Sequence, residues 1–247
     1  LGRTVPRGRV VRWYFLGELG KYLPGGVWTV VGRGELARRG GVDRTVAYGS
    51  VALSLVALYV AAAVVAAGLV PFDLARQADD PRPLLGVAVV LAVAAVALRP
   101  ATIEAGLGLA RRVTGRPLAI AVPRGRETTL LVVRYVPSWL GIAVGTWAVA
   151  RALDPDAPFA RVALATVVSW IAGFVAVPVP AGGGIREAVF LAVAGLSGGV
   201  GAATAIAARI LFVAVDAGGA GVASLTAGGS RLRRGARGRL AAPDHRD

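Results

Sequence analysis

Long apolar runs separated by short charged segments dominate this chain of 247 residues. A helix rises 1.5 Å per residue, so about 20 apolar residues cross the hydrocarbon core of a bilayer. Several runs reach or approach that length with few charges, and we predict that each is a membrane span. The predicted spans are Val46–Val70, Leu84–Leu98, Thr128–Leu153, Phe159–Val177 and Val200–Leu225. The pattern therefore predicts an all-α, polytopic helical membrane protein.

Basic residues gather between alternate spans. The connectors 33–44 and 99–127 are rich in arginine, whereas the loop Pro71–Pro83 is rich in aspartate. Lys and Arg are enriched in cytoplasmic loops, so we predict that both connectors are cytoplasmic and that the loop lies on the opposite side. Ile103–Val113, within the second connector, is predicted to be a surface helix. The side of the basic C-terminal tail stays open, because it depends on whether residues 181–197 cross the membrane.

Two breaks rich in proline and glycine interrupt the apolar sequence. The first, Pro24-Gly25-Gly26, lies within residues 10–31, which are too polar for an ordinary span and predict an interfacial or re-entrant helix ending at the proline. The second break covers residues 177–187. Proline removes a backbone donor and glycine permits non-helical angles, so protein, water or a ligand must satisfy the backbone there. Many transporters build their binding sites in this way.

The two breaks resemble each other. Each combines proline and glycine with a nearby basic and acidic residue, Arg33 and Glu35 after the first break and Arg186 and Glu187 in the second. An inverted-repeat transporter leaves such a weak internal repeat. Chance similarity is the alternative in a chain with 34 glycines. The predicted fold class is therefore all-α with two re-entrant or broken helices, and the inverted repeat stays open.

Several charged residues lie within or beside the apolar segments. A charge at the centre of a bilayer costs at least ~2.5–3.5 kcal/mol, so Arg134, Arg186 and Glu187 need partners or a hydrated cavity. Arg209 and Asp216 are roughly 10 Å apart on one helix face, so each must find its partner on another segment. Two interpretations stay open. The arginines receive a phosphodiester, or Arg186 with Asp216, or Arg209 with Glu187, form structural ion pairs.

The glycines of the second break predict an anion site. Gly182-Gly183-Gly184 precedes an apolar segment and can expose free amide donors at the N-terminus of a helix, which is its positive end. The run does not match a nucleotide-binding loop, because it lacks the spaced lysine, the following Ser or Thr and a preceding strand.

The amino-acid composition excludes several kinds of functional site. The chain has no cysteine, and its single histidine, His245, lies in the polar C-terminal segment. Disulfides, thiolate or multi-histidine metal sites and histidine-based triads are therefore excluded, and we predict neither a cofactor nor a metal. The formal net charge of +14 rests largely on arginines that flank apolar spans. This distribution favours membrane lipids with anionic headgroups over nucleic acid as partners.

Four stretches of sequence carry a family resemblance. They are Gly17–Trp28, Arg38–Val42, Pro180–Ala188 and the helix Arg209–Asp216. Through them nearly the whole chain resembles the transmembrane region of lysylphosphatidylglycerol synthases, which is also found in stand-alone flippase-like membrane proteins of the UPF0104 group.

The resemblance implies one transmembrane flippase-like domain over residues 1–228 and a basic polar tail over residues 229–247. It also implies further apolar helices before the first stretch, which agrees with a chain that contains no methionine. The third stretch departs from the family's usual Pro-Gly-Gly-Leu-Gly-Val-Arg-Glu at Ala181 and Gly183 but keeps the Arg-Glu step. The candidate substrate-binding residues are Glu18, Lys21, Pro24, Gly25, Gly26, Arg134, Gly182, Gly183, Gly184, Arg186, Glu187, Arg209 and Asp216.

The function that the resemblance implies is movement of a phospholipid, an aminoacylated phospholipid or a polyprenyl-linked glycolipid between the leaflets of a bacterial plasma membrane. Aminoacyl transfer belongs to a separate soluble domain in this family, so we do not expect an enzyme. The alternative is a membrane-embedded accessory subunit for a lipid-modifying enzyme or a glycosyltransferase. A transferase acting on polyprenyl-phosphate sugars is disfavoured, because no loop presents a paired acidic metal site.

Three arginines distinguish transport from the accessory role. A cavity that contains Arg134, Arg186 and Arg209 would support transport of a lipid phosphate. A dry interface in which all three are paired would support a scaffold, because such ion pairs only fix helix packing.

Overall fold

The computed structural model describes residues 5–23, 27–74, 125–176 and 182–240, with isolated positions between 96 and 108. This part of the chain consists of helices, turns and connecting segments, without a strand. Its helices are α1 (Arg7–Glu18), a 3-10 segment (Leu19–Tyr22), α2 (Trp28–Arg39), α3 (Arg44–Leu74), α4 (Gly125–Leu153), α5 (Phe159–Val175), α6 (Ile185–Ala194) and α7 (Gly198–Leu240). The all-α fold class is therefore confirmed.

Three helices of the described part are long and apolar enough to cross a membrane, which confirms a polytopic membrane protein. They contain Arg44–Pro71, Gly125–Leu153 and Gly198–Leu225. α5 is apolar but shorter, and it ends at Val175 rather than at the predicted Val177. The predicted span Leu84–Leu98 and the predicted surface helix Ile103–Val113 lie outside the described residues, apart from isolated positions.

The first break separates two antiparallel helices, α1 with its 3-10 extension and then α2. Gly20 lies against the backbone of Trp28 beside the break, whereas Arg9, early in α1, donates its Nη1–H to the carbonyl of Gly40, just after α2, at 3.5 Å. The break residues 24–26 lie outside the described part of the chain. Because early positions of α1 meet late positions of α2, the two form a helical hairpin, here the first hairpin (residues 7–39).

The second break folds α6 back onto α5 in the same way. Val162, early in α5, packs in one cluster with Ala194, at the end of α6. Gly173, late in α5, lies against Gly182, just before α6. Gly182 and Gly184 have φ angles of 66° and 81°, which glycine adopts without steric cost. These residues make the second hairpin (residues 159–194) and let α6 start immediately after the turn.

α7 joins the two hairpins, since it packs against α1 and against α6. Aromatic packing fixes the centre of this arrangement. Trp139 of α4 is buried and donates its Nε1–H to the carbonyl of Leu58 at 2.7 Å. Its ring meets Trp170 of α5 at 6.0 Å between centroids, and Phe212 of α7 meets Trp170 at 5.7 Å. Trp170 is thereby held between α4, α5 and α7.

The helix α7 continues as far as Leu240. It therefore passes the predicted boundary at residue 228, and residues 229–240 of the predicted tail continue the helix. Residues 241–247, with His245, lie outside the described part of the chain.

Candidate functional site

The first hairpin and α7 share a line of alternating charges. Glu18 forms ion pairs with Arg33 of α2 and with Lys21, whose Nζ lies 3.3 Å from its Oε2. Lys21 also pairs with Asp216 of α7 at 2.6 Å. The hydroxyl of Tyr22 donates to Asp216 Oδ2 at 2.7 Å. These part-buried side chains connect three helical segments, so removal of one charge leaves another without its partner.

The second hairpin meets α7 through another ion pair. Arg209 of α7 donates its Nη1–H to Glu187 Oε1. The other oxygen of Glu187 accepts the backbone N–H of Gly184 at 2.6 Å, which caps the first turn of α6. Of the two pairings left open by the sequence, Arg209 with Glu187 is therefore the one that forms. Asp216 pairs with Lys21 instead of Arg186.

Arg186 is held by packing rather than by a carboxylate. Its guanidinium lies over the indole ring of Trp170, with Cζ 3.6 Å from the ring centroid. Its aliphatic stem lies against Gly173 and Gly182, where a Cβ atom would overlap it. None of the described carboxylates forms an ion pair with Arg186. The arrangement fixes a planar cation whose N–H donors stay available to an anion.

Arg33 occupies a matching place in the first hairpin. Its guanidinium lies over the ring of Tyr14 at 4.1 Å, and its stem lies against Gly17. Tyr14 precedes Gly17 by three residues, as Trp170 precedes Gly173. Each hairpin therefore holds an arginine of its second helix against an aromatic ring and a glycine of its first. This shared geometry supports an internal repeat over chance similarity.

Cations from both hairpins meet at Trp170. Lys21 Nζ lies 5.6 Å from the indole centroid, and Arg186 Cζ lies 3.6 Å from it. The negative face of an aromatic ring attracts a cation over such distances. The structure thus brings predicted site residues of the first and second breaks to one ring.

A cavity of about 30 Å³ opens beside this ring, between α4, α5, α6 and α7. That space holds about two water molecules. Charged and polar side chains form much of its lining, namely Arg186, Glu187, Arg209, Thr146, Thr166 and Ser169. The three hydroxyls donate to carbonyls of their own helices, so their oxygens remain able to accept further hydrogen bonds. The cavity is polar and of water size in this conformation.

Two buried polar atoms near the cavity have no hydrogen-bond partner among the described residues. They are Nε1 of Trp170, which lines the cavity, and Oγ1 of Thr204, whose neighbour Ala205 lines it. An unpaired buried donor costs about 1–3 kcal/mol. Such atoms mark places where water or a ligand completes the hydrogen bonding.

The structure brings most, but not all, of the predicted site residues together. Glu18, Lys21 and Asp216 form the first set of contacts, and Arg186, Glu187 and Arg209 form the second. Gly182 and Gly184 shape the turn before α6, and Gly183 lies between them. Arg134 is exposed on α4 and does not line the cavity. Pro24, Gly25 and Gly26 lie outside the described residues.

A second charged group lies at the end of α2. Glu35 accepts two hydrogen bonds from Arg38, at 2.8 and 2.7 Å, and one from Arg39 at 2.9 Å. These arginines lower the pKa of Glu35 to about 2. The Glu35 carboxylate is therefore ionised over the physiological range, and the three residues together keep one positive charge.

Comparison with known proteins identifies the family of this chain. A family model described as the lysylphosphatidylglycerol synthase TM region matches residues 1–218. The chain belongs to this family. No curated protein and no solved structure matches the chain significantly. The matched region contains both hairpins and the part of α7 that contacts them, so the whole arrangement lies within the lysylphosphatidylglycerol synthase TM region.

Sequence reasoning missed several residues of this TM-region site. The predicted site did not include Trp170, Tyr22, Arg33 or Gly173. One signal was present, since an aromatic residue precedes a glycine by three positions in α1 and again in α5. The described residues contain no group of three or more acidic or histidine side chains that could hold a metal ion.

Proposed function

We propose that this chain binds the phosphate of a membrane lipid at Arg186 and moves that lipid between the leaflets of a bacterial plasma membrane, without catalysing a reaction. The substrate class is a phospholipid, an aminoacylated phospholipid or a polyprenyl-linked glycolipid. Membership of a lipid-related membrane family supports the lipid substrate. The observation that carries the proposal is the state of Arg186, a cation that is stacked on Trp170 beside a polar cavity and is not paired with any of the described carboxylates.

The charges around Arg186 favour an anion. Together with Arg33, which pairs with Glu18, the two sets of contacts contain four cations and three anions, so one positive charge remains uncompensated. Arg186 is the member without an ion pair. A phosphodiester carries one negative charge and accepts two parallel hydrogen bonds from a guanidinium. Trp170 Nε1, which has no partner among the described residues, supplies a further donor nearby. The set is Glu18, Lys21, Arg33, Arg186, Glu187, Arg209 and Asp216.

Transport requires this cavity to open. A space of about 30 Å³ admits water but not a lipid headgroup. α6 connects to α5 through a glycine turn and to α7 through Gly195, which has a φ angle of 65°. Short segments at the ends of helices absorb the backbone changes of a hinge. We therefore infer that α6 moves relative to α7, and that the conformation described is the occluded one.

Leaflet exchange in liposomes tests the proposal. The full protein is reconstituted, and exchange of fluorescent phosphatidylglycerol, lysylphosphatidylglycerol and phosphatidylcholine is measured. A charge-assisted hydrogen bond contributes about 1.5–3 kcal/mol, so Arg186→Gln should slow exchange by about 10- to 150-fold. Arg186→Lys keeps the charge but loses the planar fork, and it should restore only part of the rate. Arg126→Gln is the matched control, because Arg126 is exposed at the start of α4 and outside the cavity lining.

The accessory role gives a different result in the same experiment. Arg33 and Arg209 are both paired with carboxylates, as expected of structural ion pairs in a scaffold. The proposed role of Arg186 is refuted if folded wild-type protein exchanges none of the lipids. It is also refuted if the Arg186→Gln and Arg126→Gln variants both exchange lipid at the wild-type rate. The structural ion pairs would then favour a subunit that anchors a lipid-modifying enzyme or a glycosyltransferase.

A further inference from the structure

A groove separate from the cavity at Arg186 runs along the first hairpin. It has a volume of about 550 Å³ and lies between α1, the 3-10 segment and α2. Known small-molecule pockets occupy about 300–1,000 Å³, so the groove is of ligand size. Most of its lining is apolar, and Leu19, Leu23, Trp28 and Val31 are exposed along it. The described part of the chain therefore leaves these apolar side chains uncovered.

The groove has the length of one lipid chain in one leaflet. Trp28 and Arg39 both line it and stand at the two ends of α2. At 1.5 Å per residue they are about 16 Å apart along the helix. Half of the hydrocarbon core of a bilayer is about 15 Å thick. An extended acyl chain lying beside α2 therefore matches the apolar lining from end to end.

A positively charged side chain lies at one end of the groove. Arg39 lines it there, and its side chain is 73% exposed. Among the described residues Arg39 gives only its Nε–H, to Glu35, so its other guanidinium donors are free. Arg38 lies beside it and pairs with the same carboxylate, which leaves the group with one net positive charge. A lipid phosphate at this end meets both available donors and complementary charge.

Glycines of both helices leave the groove open between its apolar side chains. Gly17, Gly20 and Gly32 line the groove between the apolar side chains. A Cβ atom at Gly32 would lie 3.5 Å from the Cα of Gly17, which is an ordinary contact distance. A methyl group therefore fits at Gly32, and we expect a larger side chain there to extend into the groove that Gly32 lines.

We propose that this groove binds one acyl chain of an anionic glycerophospholipid, with the headgroup phosphate at Arg39. This is a second lipid site on the first hairpin, and its lining excludes Arg186 and Trp170. A lipid fits better than a protein segment, because the same surface combines an apolar trough of leaflet length with a cation at one end. Its occupation does not depend on translocation.

Photo-cross-linking tests this second site directly. The full chain is placed in nanodiscs of phosphatidylcholine with a phosphatidylglycerol that carries a photoreactive group on its acyl chain, and labelled peptides are mapped. Labelling is expected within residues 16–39. Val31→Trp and Gly32→Leu fill the groove and should remove most of the labelling. Val11→Trp, at an exposed position of α1 outside the lining, should leave the labelling unchanged. Unlabelled phosphatidylglycerol should compete and phosphatidylcholine should not.

Charge variants test the headgroup contact. One basic residue near an anionic headgroup contributes about 1 kcal/mol, so Arg39→Gln should reduce labelling by a sub-saturating amount of the photoreactive phosphatidylglycerol about fivefold. Arg7→Gln removes the same charge from an exposed position outside the groove and should have no effect.

Three results would overturn the second site. The first is labelling of the exposed α7 positions Ile210 and Val222 as strong as that of the first hairpin, which indicates bulk lipid only. The second is labelling unchanged by both groove-filling variants while they remain folded. The third is loss of groove labelling in Arg186→Gln, which would make the two lipid sites one. Persistent labelling in protein that exchanges no lipid leaves the groove intact and refutes only the transport function.

Discussion

Glu187 performs two tasks that substitution separates. One oxygen accepts from Arg209 of α7, and the other accepts the backbone N–H of Gly184 and caps α6. Because Gly184 has no side-chain oxygen, the reciprocal half of the capping box is missing and the α6 cap depends on Glu187. Glu187→Gln keeps an acceptor at the capping position but removes the charge. Glu187→Ala removes both.

The expected magnitudes follow from exposure. The side chains of Arg209 and Glu187 are 33% and 24% exposed, so their ion pair lies between a surface pair and a buried one. Breaking it should cost about 1–3 kcal/mol, between the ~0–1 kcal/mol of exposed pairs and the ~3–5 kcal/mol lost when a buried pair is broken. Loss of a helix cap adds about 1 kcal/mol. At roughly 2–4 °C per kcal/mol for a domain of this size, Glu187→Gln should lower Tm by about 2–12 °C. Glu187→Ala should lower it by about 2–4 °C more.

Thermal unfolding of purified protein in detergent, followed by intrinsic tryptophan fluorescence, measures these shifts. Arg209→Gln and the double variant complete a cycle whose coupling energy reports the ion pair itself. Leaflet exchange is measured on the same preparations after reconstitution into liposomes, where Arg186→Gln should lose activity with a smaller change in Tm. Equal Tm values for Glu187→Gln and Glu187→Ala would refute the cap, and a coupling energy of zero would refute the ion pair.

Three further substitutions test the packing and the charges. Gly173→Val places a side chain where the Arg186 stem lies, so it should reduce exchange as Arg186→Gln does, whereas Gly141→Val, at a glycine of α4 with open space around it, should not. Asp216→Asn leaves Lys21 with one carboxylate and should lower Tm in unfolding scans. The same substitution should lower Tm less in protein that already carries Lys21→Gln. The pKa of Glu35, about 2 in the folded chain and 4.5 ordinarily, predicts a Tm difference between wild type and Glu35→Gln that is constant above pH 4.5 and shrinks towards pH 2. A difference that already changes between pH 8 and 6 would contradict the ion pairs of Glu35.

Periodicity and composition were sufficient for the spans but not for the helix ends. α3 continues through Pro71 to Leu74, although a proline at that point predicted the start of a loop. Proline removes one donor and favours a break, yet the next residues can still satisfy the helical pattern. α5 ends two residues early because the turn to α6 begins at Ala176, whose ψ angle of 58° is not helical. Local backbone geometry of this kind leaves no periodic signal.

The charged residues of the site were recognisable because charge in apolar sequence is costly and rarely accidental. Their pairing was not recognisable, since it depends on how α7 lies against both hairpins. Asp216 meets Lys21, which is 195 positions away in the sequence, and spacing alone cannot show that contact. Trp170 was missed for a related reason. A tryptophan in an apolar helix is typical of core packing, and only the third dimension places two cations at its ring.

The two hairpins differ in one respect that assigns them different roles. Arg33 and Arg186 each lie against an aromatic ring and a glycine of the preceding helix. Glu18 pairs with Arg33, whereas none of the described carboxylates pairs with Arg186. Asp216 of α7 contacts Lys21 and Tyr22 of the first hairpin, and Arg209 of α7 pairs with Glu187 of the second. The second hairpin therefore carries the arginine that is available to an anion. Under the proposed transport function, the first copy of the repeat anchors the bundle while the second copy moves with a bound anion.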